Sequence, residues 1–208
     1  FGTDALRFTF ASLATQGRDI RFDLGRIDGY RNFCNKLWNA ARFVLLNTQE
    51  FDQSSTESSE FGTPEKWIVS RLQQIANEVN ESIDEYRFDQ VAQTLYTFIW
   101  DEYCSWYLEV AKIELANVML SRERKLSIQR ILLEVLESSL RLLHPLMPFI
   151  TETLWRDIAL RTGNTGASIM TQPYPTTEPT KIDETAIFEF EWIQAIVSGL
   201  RNIRGEMN

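Results

Sequence analysis

Residues 26–45 read RIDGYRNFCNKLWNAARFVL, and their periodicity decides the fold class. On a wheel at about 100° per residue, Ile27, Tyr30, Phe33, Cys34, Leu37, Trp38, Ala41, Val44 and Leu45 fall within an arc of roughly 140°. That spacing belongs to an amphipathic helix with one buried side. The opposite side collects Arg31, Arg42, Asn35, Asn39, Asn32, Phe43 and Lys36. The helix is expected from about Arg26 to Asn47.

The same three- and four-residue spacing runs outward in both directions. Residues 3–14 give a short first helix. Residues 18–24 alternate Ile20, Phe22 and Leu24 with Asp19, Arg21 and Asp23, which predicts a brief extended piece. A polar, Ser-rich loop spans about 49–62. Thr63-Pro64-Glu65 opens the next helix, with the Thr63 hydroxyl as cap and a seam of Ile68, Leu72, Ile75, Val79, Ile83 and Tyr86. From Phe88 to about Leu120 the chain is apolar on more than one side, as expected of a central helix in a bundle. Ser121 caps a fifth helix that ends at His144-Pro145, and Pro148 opens a sixth. Residues 162–182 are irregular. Asp183 caps a last helix, with Ile187, Phe190, Ile193, Val197 and Leu200 facing inward. The expected fold is all-α: a helical bundle with a small mixed α/β element at its N-terminus. Residues 1–24 form a connecting region and 25–208 the bundle.

Composition restricts the function. In 208 residues, 44% are hydrophobic and 24% charged, an ordinary globular balance. No apolar run reaches the ~20 residues that span a bilayer, so no membrane partner is expected. Cys34 and Cys104 lie in helical patterns without metal-ligand spacing, which reads as two thiols in a reducing compartment. The net charge of −8 is unevenly spread. Residues 1–48 carry seven Lys/Arg against four Asp/Glu, or +3, while residues 49–117 carry four against fourteen, or −10. This suits a short single-stranded RNA contact better than a protein that coats a duplex. Plain solvated charge explains it equally well.

Chemistry is sparse. The single histidine, His144, lies at a helix end and reads as structural. No GxGxxG or Walker-type loop is present. Asp101, Glu102 and Glu109 lie among aromatics on one helix rather than as a general acid–base pair. No catalytic residue and no metal site are expected, so the function is binding. On the polar side of residues 26–45, Phe43 is the misfit. It either packs under the following loop, against Phe51 or Phe61, or stacks on an unpaired base that nearby amides and cations hold. A purely structural or protein-binding bundle is the competing reading, and the acidic middle suits it.

Several stretches resemble the class I aminoacyl-tRNA synthetases. Gly2-Thr3-Asp4-Ala5-Leu6-Arg7-Phe8 is similar to the segment after their KMSKS loop. Gly17 to Asp23 and Arg31 to Phe43 resemble the valyl members in particular. Trp100-Asp101-Glu102-Tyr103-Cys104-Ser105-Trp106-Tyr107, His144 to Glu152, and Arg201 to Met207 are similar to the family's helical domain. Ser105 departs from the Asp that the motif leads one to expect.

The resemblance implies an anticodon-binding bundle preceded by the end of a stem-contact element, the partner being the anticodon arm of tRNA(Val). It implies that Lys36 and Phe43 line the anticodon site. Arg26, Arg31, Asn35, Asn39 and Arg42 are added by geometry, with Asn35 and Asn39 equally able to bridge helices. Arg7 is expected to be structural, pairing with Asp4 or an adjoining loop. The resemblance further implies a fragment of a longer cytoplasmic, monomeric enzyme. Its catalytic core, using ATP and Mg²⁺, and its C-terminal arm would lie outside these residues, and no cofactor belongs to the fragment itself.

Overall fold

A computed structural model describes residues 2–15, 23–49, 51, 61–164 and 166–206. Its helices are α1 (Thr3–Leu13), α2 (Leu24–Asn47), α3 (Thr63–Asp84), α4 (Phe88–Thr97), a π-helical segment π1 (Phe98–Tyr107), α5 (Leu108–Ala116), α6 (Arg122–Leu143), α7 (Pro148–Arg161) and α8 (Glu184–Glu206). Two short 3₁₀ turns, Ile169–Thr171 and Pro179–Lys181, interrupt the irregular segment after α7. No strand occurs among the described residues. The expected extended piece lies mostly outside them, and its last residue, Leu24, begins α2.

One core joins the helices. Phe33, Leu37 and Val44 of α2 share it with Ile68, Leu72 and Val79 of α3, Leu95 and Phe98 of the central rod, and Leu132, Leu136 and Leu140 of α6. The rod α4–π1–α5 is central, as its two apolar sides imply, and touches α1, α2, α3 and α6. Helix α6 is as deeply enclosed, burying Ile128, Ile131, Leu133, Val135 and Leu143 as well. Asp4 fixes α1 to the bundle by accepting from the backbone N–H groups of Phe149 (3.3 Å) and Ile150 (2.6 Å). The orphan donors at the start of α7 are thereby satisfied from another helix. Arg7 donates to the carbonyls of Leu146 (3.2 Å) and Pro145 (3.0 Å), so it clasps the adjoining α6–α7 turn and not Asp4.

The caps mostly follow the sequence. Ser121 Oγ accepts from Arg124 N, and Asp183 Oδ1 accepts from Ala186 N. Thr63 is a correction: its hydroxyl donates to Glu189 on α8, and the start of α3 is closed by Glu65 Oε2, which accepts from Gly62 N at 3.0 Å. The α3 seam also ends earlier than expected. Tyr86 lies beyond the helix at φ 58° and is exposed. On α8, Ile187 and Phe190 are buried, the latter stacked on Trp67 at 4.0 Å. Ile193 and Leu200, expected inside, are exposed. This 23-residue helix packs mainly on α3, and it also reaches π1, where Phe190 and Arg201 both meet the Trp106 ring.

Candidate nucleic-acid interface

Packing carries the sequence to a site where α2 crosses π1. Phe8 of α1 packs on Tyr30 (4.8 Å) and Phe33 (5.3 Å) of α2; Phe33 meets Tyr96 of α4 (5.0 Å), which stacks on Trp100 (5.5 Å, 11° between planes). Each such ring pair adds about 0.5–1.5 kcal/mol beyond its buried area, so the ladder fixes the indole of Trp100 on the α2 side of the rod.

Lys36 reaches across to that indole. Its ammonium lies 4.0 Å from the Trp100 ring centroid and donates to Ser105 Oγ at 2.9 Å. The Ser105 hydroxyl in turn donates to the carbonyl of Trp100 at 2.7 Å, five residues back. The i, i+5 step is that of a π-helix, whose wider turns recur at functional sites. The acceptors around Lys36 are a hydroxyl and a π face. No carboxylate forms an ion pair with it among the described residues, so its positive charge is positioned without being neutralised. The residue that departs from the motif's Asp is therefore the partner of Lys36.

Phe43 lies two helical turns after Lys36 on the same flank of α2. It is half-buried against the core, and the ammonium of Lys112 on α5 stands 5.5 Å from its ring centroid. Phe51 and Phe61 are also half-buried at the core's edge. Lys112 pairs with Glu109 on its own helix at 2.5 Å. Burial pushes the Cys104 thiol up to about 12, while the charges of Lys36 and Lys112 both pull it down. The two cations, from α2 and α5, thus both act on the same part of the rod. Burial and the charge of Asp4 raise the Cys34 thiol to about 11, so neither thiol is a nucleophile near neutral pH.

The remaining candidates surround this point on α2. Asn35, Asn39 and Arg42 are exposed and make no side-chain hydrogen bond or ion pair among the described residues. They do not bridge helices. Arg31 is exposed and pairs with Asp28 at 3.2 Å. Arg26 is exposed in the first turn, ten residues or about 15 Å of helix axis before Lys36. The structure therefore joins Lys36 and Phe43 to π1 and α5, leaves Asn35, Asn39, Arg31 and Arg42 as a polar margin, and sets Arg26 apart. Trp38 is another correction. Expected in the buried arc, it is 48% exposed at the arc's edge, beside Arg42 and Asn35 on the wheel.

The sequence motif contains Trp100 and singles out Ser105, but it links neither to Lys36, and it does not point to Lys112. Ser105 lies 69 residues from Lys36, and no local pattern links them. Lys112 was hidden in the acidic middle block. His144 has a structural place: its Nδ1 lies 2.8 Å from Thr151 Oγ1, and burial holds its imidazole below the usual range. Among the described residues, no three His, Cys, Asp or Glu side chains cluster as metal ligands, and no helix is long and apolar enough to cross a membrane.

Comparison with known proteins follows this geometry. Residues 65–208 match the model of the anticodon-binding domain of tRNA ligase. The whole chain is 50% identical over 208 residues to the valine–tRNA ligase of Acinetobacter baylyi, covering 21% of that protein. It is 49% identical over 207 residues to that of Coxiella burnetii, covering 22% of it. The chain thus spans about a fifth of the length of the curated relatives it matches. Among solved structures it is similar in fold to LeuRS of Agrobacterium radiobacter K84 in a ternary complex with tRNA and LeuAMS. There the TM-score is 0.61 at 15% identity, over 88% of this chain and 20% of the other.

Proposed function

Since the chain belongs to the family of anticodon-binding domains of tRNA ligases, we propose that it reads the anticodon arm of tRNA(Val) through the α2 face that carries Lys36 and Phe43. The observation that carries the valine assignment is the 50% identity to a valine–tRNA ligase, which runs the full length of the chain. The α2–π1 crossing supports the place of contact: a half-buried ring, a cation held by neutral partners, and unengaged amides and Arg42 around them. RNA sequence is read in single-stranded loops by this combination of ring stacking, edge hydrogen bonds and phosphate contacts. Arg31, Asn35 and Asn39 flank the contact, and Arg26 serves a phosphate farther along the arm.

In the parent protein this domain would work beside a catalytic core that joins valine to its tRNA with ATP and Mg²⁺, in the cytoplasm and as a monomer. This chain spans about a fifth of the relatives' length, and on our reading the catalytic core lies in the rest. The test is a titration of tRNA(Val) into the 208-residue chain at low salt and at about 0.2 M, against a tRNA with a substituted middle anticodon base. The expected result is preferential binding of the valine anticodon that is lost in a Lys36→Met, Phe43→Leu double variant of unchanged helicity. Equal binding of both RNAs by the wild type would overturn the reading, and no binding at all would favour the structural or protein-binding bundle.

A further inference from the structure

We propose that Lys112 is a further RNA-binding residue of this site, held by Glu109 in the free chain and handed to an RNA phosphate when the anticodon loop binds. The inference rests on the functional reading above.

Surface ion pairs within one helix are common here. Arg31–Asp28, Arg130–Glu134, Arg156–Glu152 and Lys181–Glu178 are all of this kind. Among the described residues, Lys112–Glu109 alone of these also places its cation over an aromatic ring of another helix, 5.5 Å from the centroid of Phe43. That ring is the one against which a base would stack, so a nucleotide seated on Phe43 brings its phosphate within the sweep of the Lys112 side chain. Four methylenes give the ammonium freedom to swing, and the side chains of Lys112 and Glu109 are 45% and 55% exposed.

Energetics favour the exchange. An exposed i, i+3 pair is screened by water and holds its lysine weakly, so replacing carboxylate by phosphate keeps the cation satisfied at little cost. Lys36 cannot take this part. It is anchored to Ser105 Oγ and to the Trp100 ring, both fixed by the aromatic ladder. The site therefore sets a fixed cation from α2, Lys36, beside a movable one from α5, Lys112. The fixed one suits a base edge or a phosphate in a single register; the movable one adds sequence-independent affinity.

The test titrates tRNA(Val), and the tRNA with a substituted middle anticodon base, into the wild-type chain, Lys112→Met and Glu109→Gln over a salt series. For Lys112→Met, both RNAs are expected to bind roughly three- to tenfold more weakly at low salt. The slope of log affinity against log salt should shrink by about 0.7, one single-strand phosphate contact, with the ratio between the two RNAs and the thermal midpoint unchanged. For Glu109→Gln, both RNAs are expected to bind roughly two- to fivefold more tightly, since the competing carboxylate is gone. Wild-type affinity and slope in Lys112→Met overturn the proposal while leaving the anticodon reading intact. So does a changed RNA ratio, which would make Lys112 a base reader, or an unchanged affinity in Glu109→Gln, which would remove the exchange. A wild type that binds both RNAs alike removes the functional reading and this inference with it.

Discussion

Where α3, α5 and α6 meet, Arg124 is enclosed by two carboxylates: Glu114 at 2.7 Å, and Glu65, which is 1% exposed. Where α2 meets π1, Lys36 is enclosed by a hydroxyl and an indole, with no carboxylate bound to it among the described residues. Both cations join helices that are distant in sequence, and both are partly withdrawn from water. They differ in what satisfies them: one charge is cancelled in place and the other is held by neutral acceptors. A cation enclosed between two carboxylates, as Arg124 is, has no charge left for a ligand, and its loss strands a buried acid. A cation held by neutral acceptors keeps its field, and its loss costs the bundle little.

The largest expected effect breaks the structural side. Arg124→Met leaves Glu65 buried without its cation, at a cost of about 3–5 kcal/mol, or a fall in Tm of roughly 6–20 °C. Burial already raises the Glu65 carboxyl, against the pull of Arg124, so removing the cation raises it further. A group raised in the folded state favours folding below its unfolded pKa and loses that contribution as pH rises through the folded value. The deficit of the variant should therefore shrink on acidification from pH 7 towards about 5. A thermal scan across that range checks both statements, and a deficit that grew instead would mean Glu65 is stabilised as an anion.

Next in size is the functional side. The Lys36→Met, Phe43→Leu variant keeps apolar volume but removes charge and ring, and should lose about 1–3 kcal/mol of RNA binding for the stack alone. Its Tm should stay close to wild type. A large loss of stability would place Lys36 in the same class as Arg124 and collapse the contrast.

Ser105→Asp sharpens it further by converting one kind of site into the other. The new carboxylate would pair with Lys36 and add less than about 1 kcal/mol of stability. Affinity for tRNA(Val) and the salt slope should both fall, by less than in Lys36→Met. Unchanged binding in Ser105→Asp would show that the RNA reads the position of Lys36 rather than its net charge. The smallest effect concerns His144, whose imidazole is lowered by burial and hydrogen-bonded to Thr151. Its neutral form stabilises the fold above the usual histidine range, and that contribution is lost as pH falls below it. His144→Gln should flatten the Tm profile between about pH 7 and 5, with RNA binding unchanged.

Periodicity found the helices because each has a side that must leave water. The α2 arc from Ile27 to Val44 is buried almost as drawn, and the caps Ser121 and Asp183 work as read. The errors fall where a residue's fate depends on a neighbour that the wheel cannot see. Trp38 and Leu200 are exposed although the wheel turns them inward, and Thr63 bonds to α8 instead of its own first turn. The π-helical stretch 98–107 leaves no mark that distinguishes it from an α-helix in the pattern of apolar residues. On the site, Lys36 and Phe43 stood out as polar-face residues, one a cation and the other an unexpected ring. Their partners did not.

The sequence by itself determined the all-α class, most helix boundaries and the face of α2 that remains polar, since local spacing and capping chemistry are written along a single helix. Only the tertiary structure decided which charges are cancelled. That depends on what another helix brings into contact: Glu65 and Glu114 to Arg124, but Ser105 and Trp100 to Lys36. These pairings depend on how the rod and α6 pack, and no spacing within α2 encodes them.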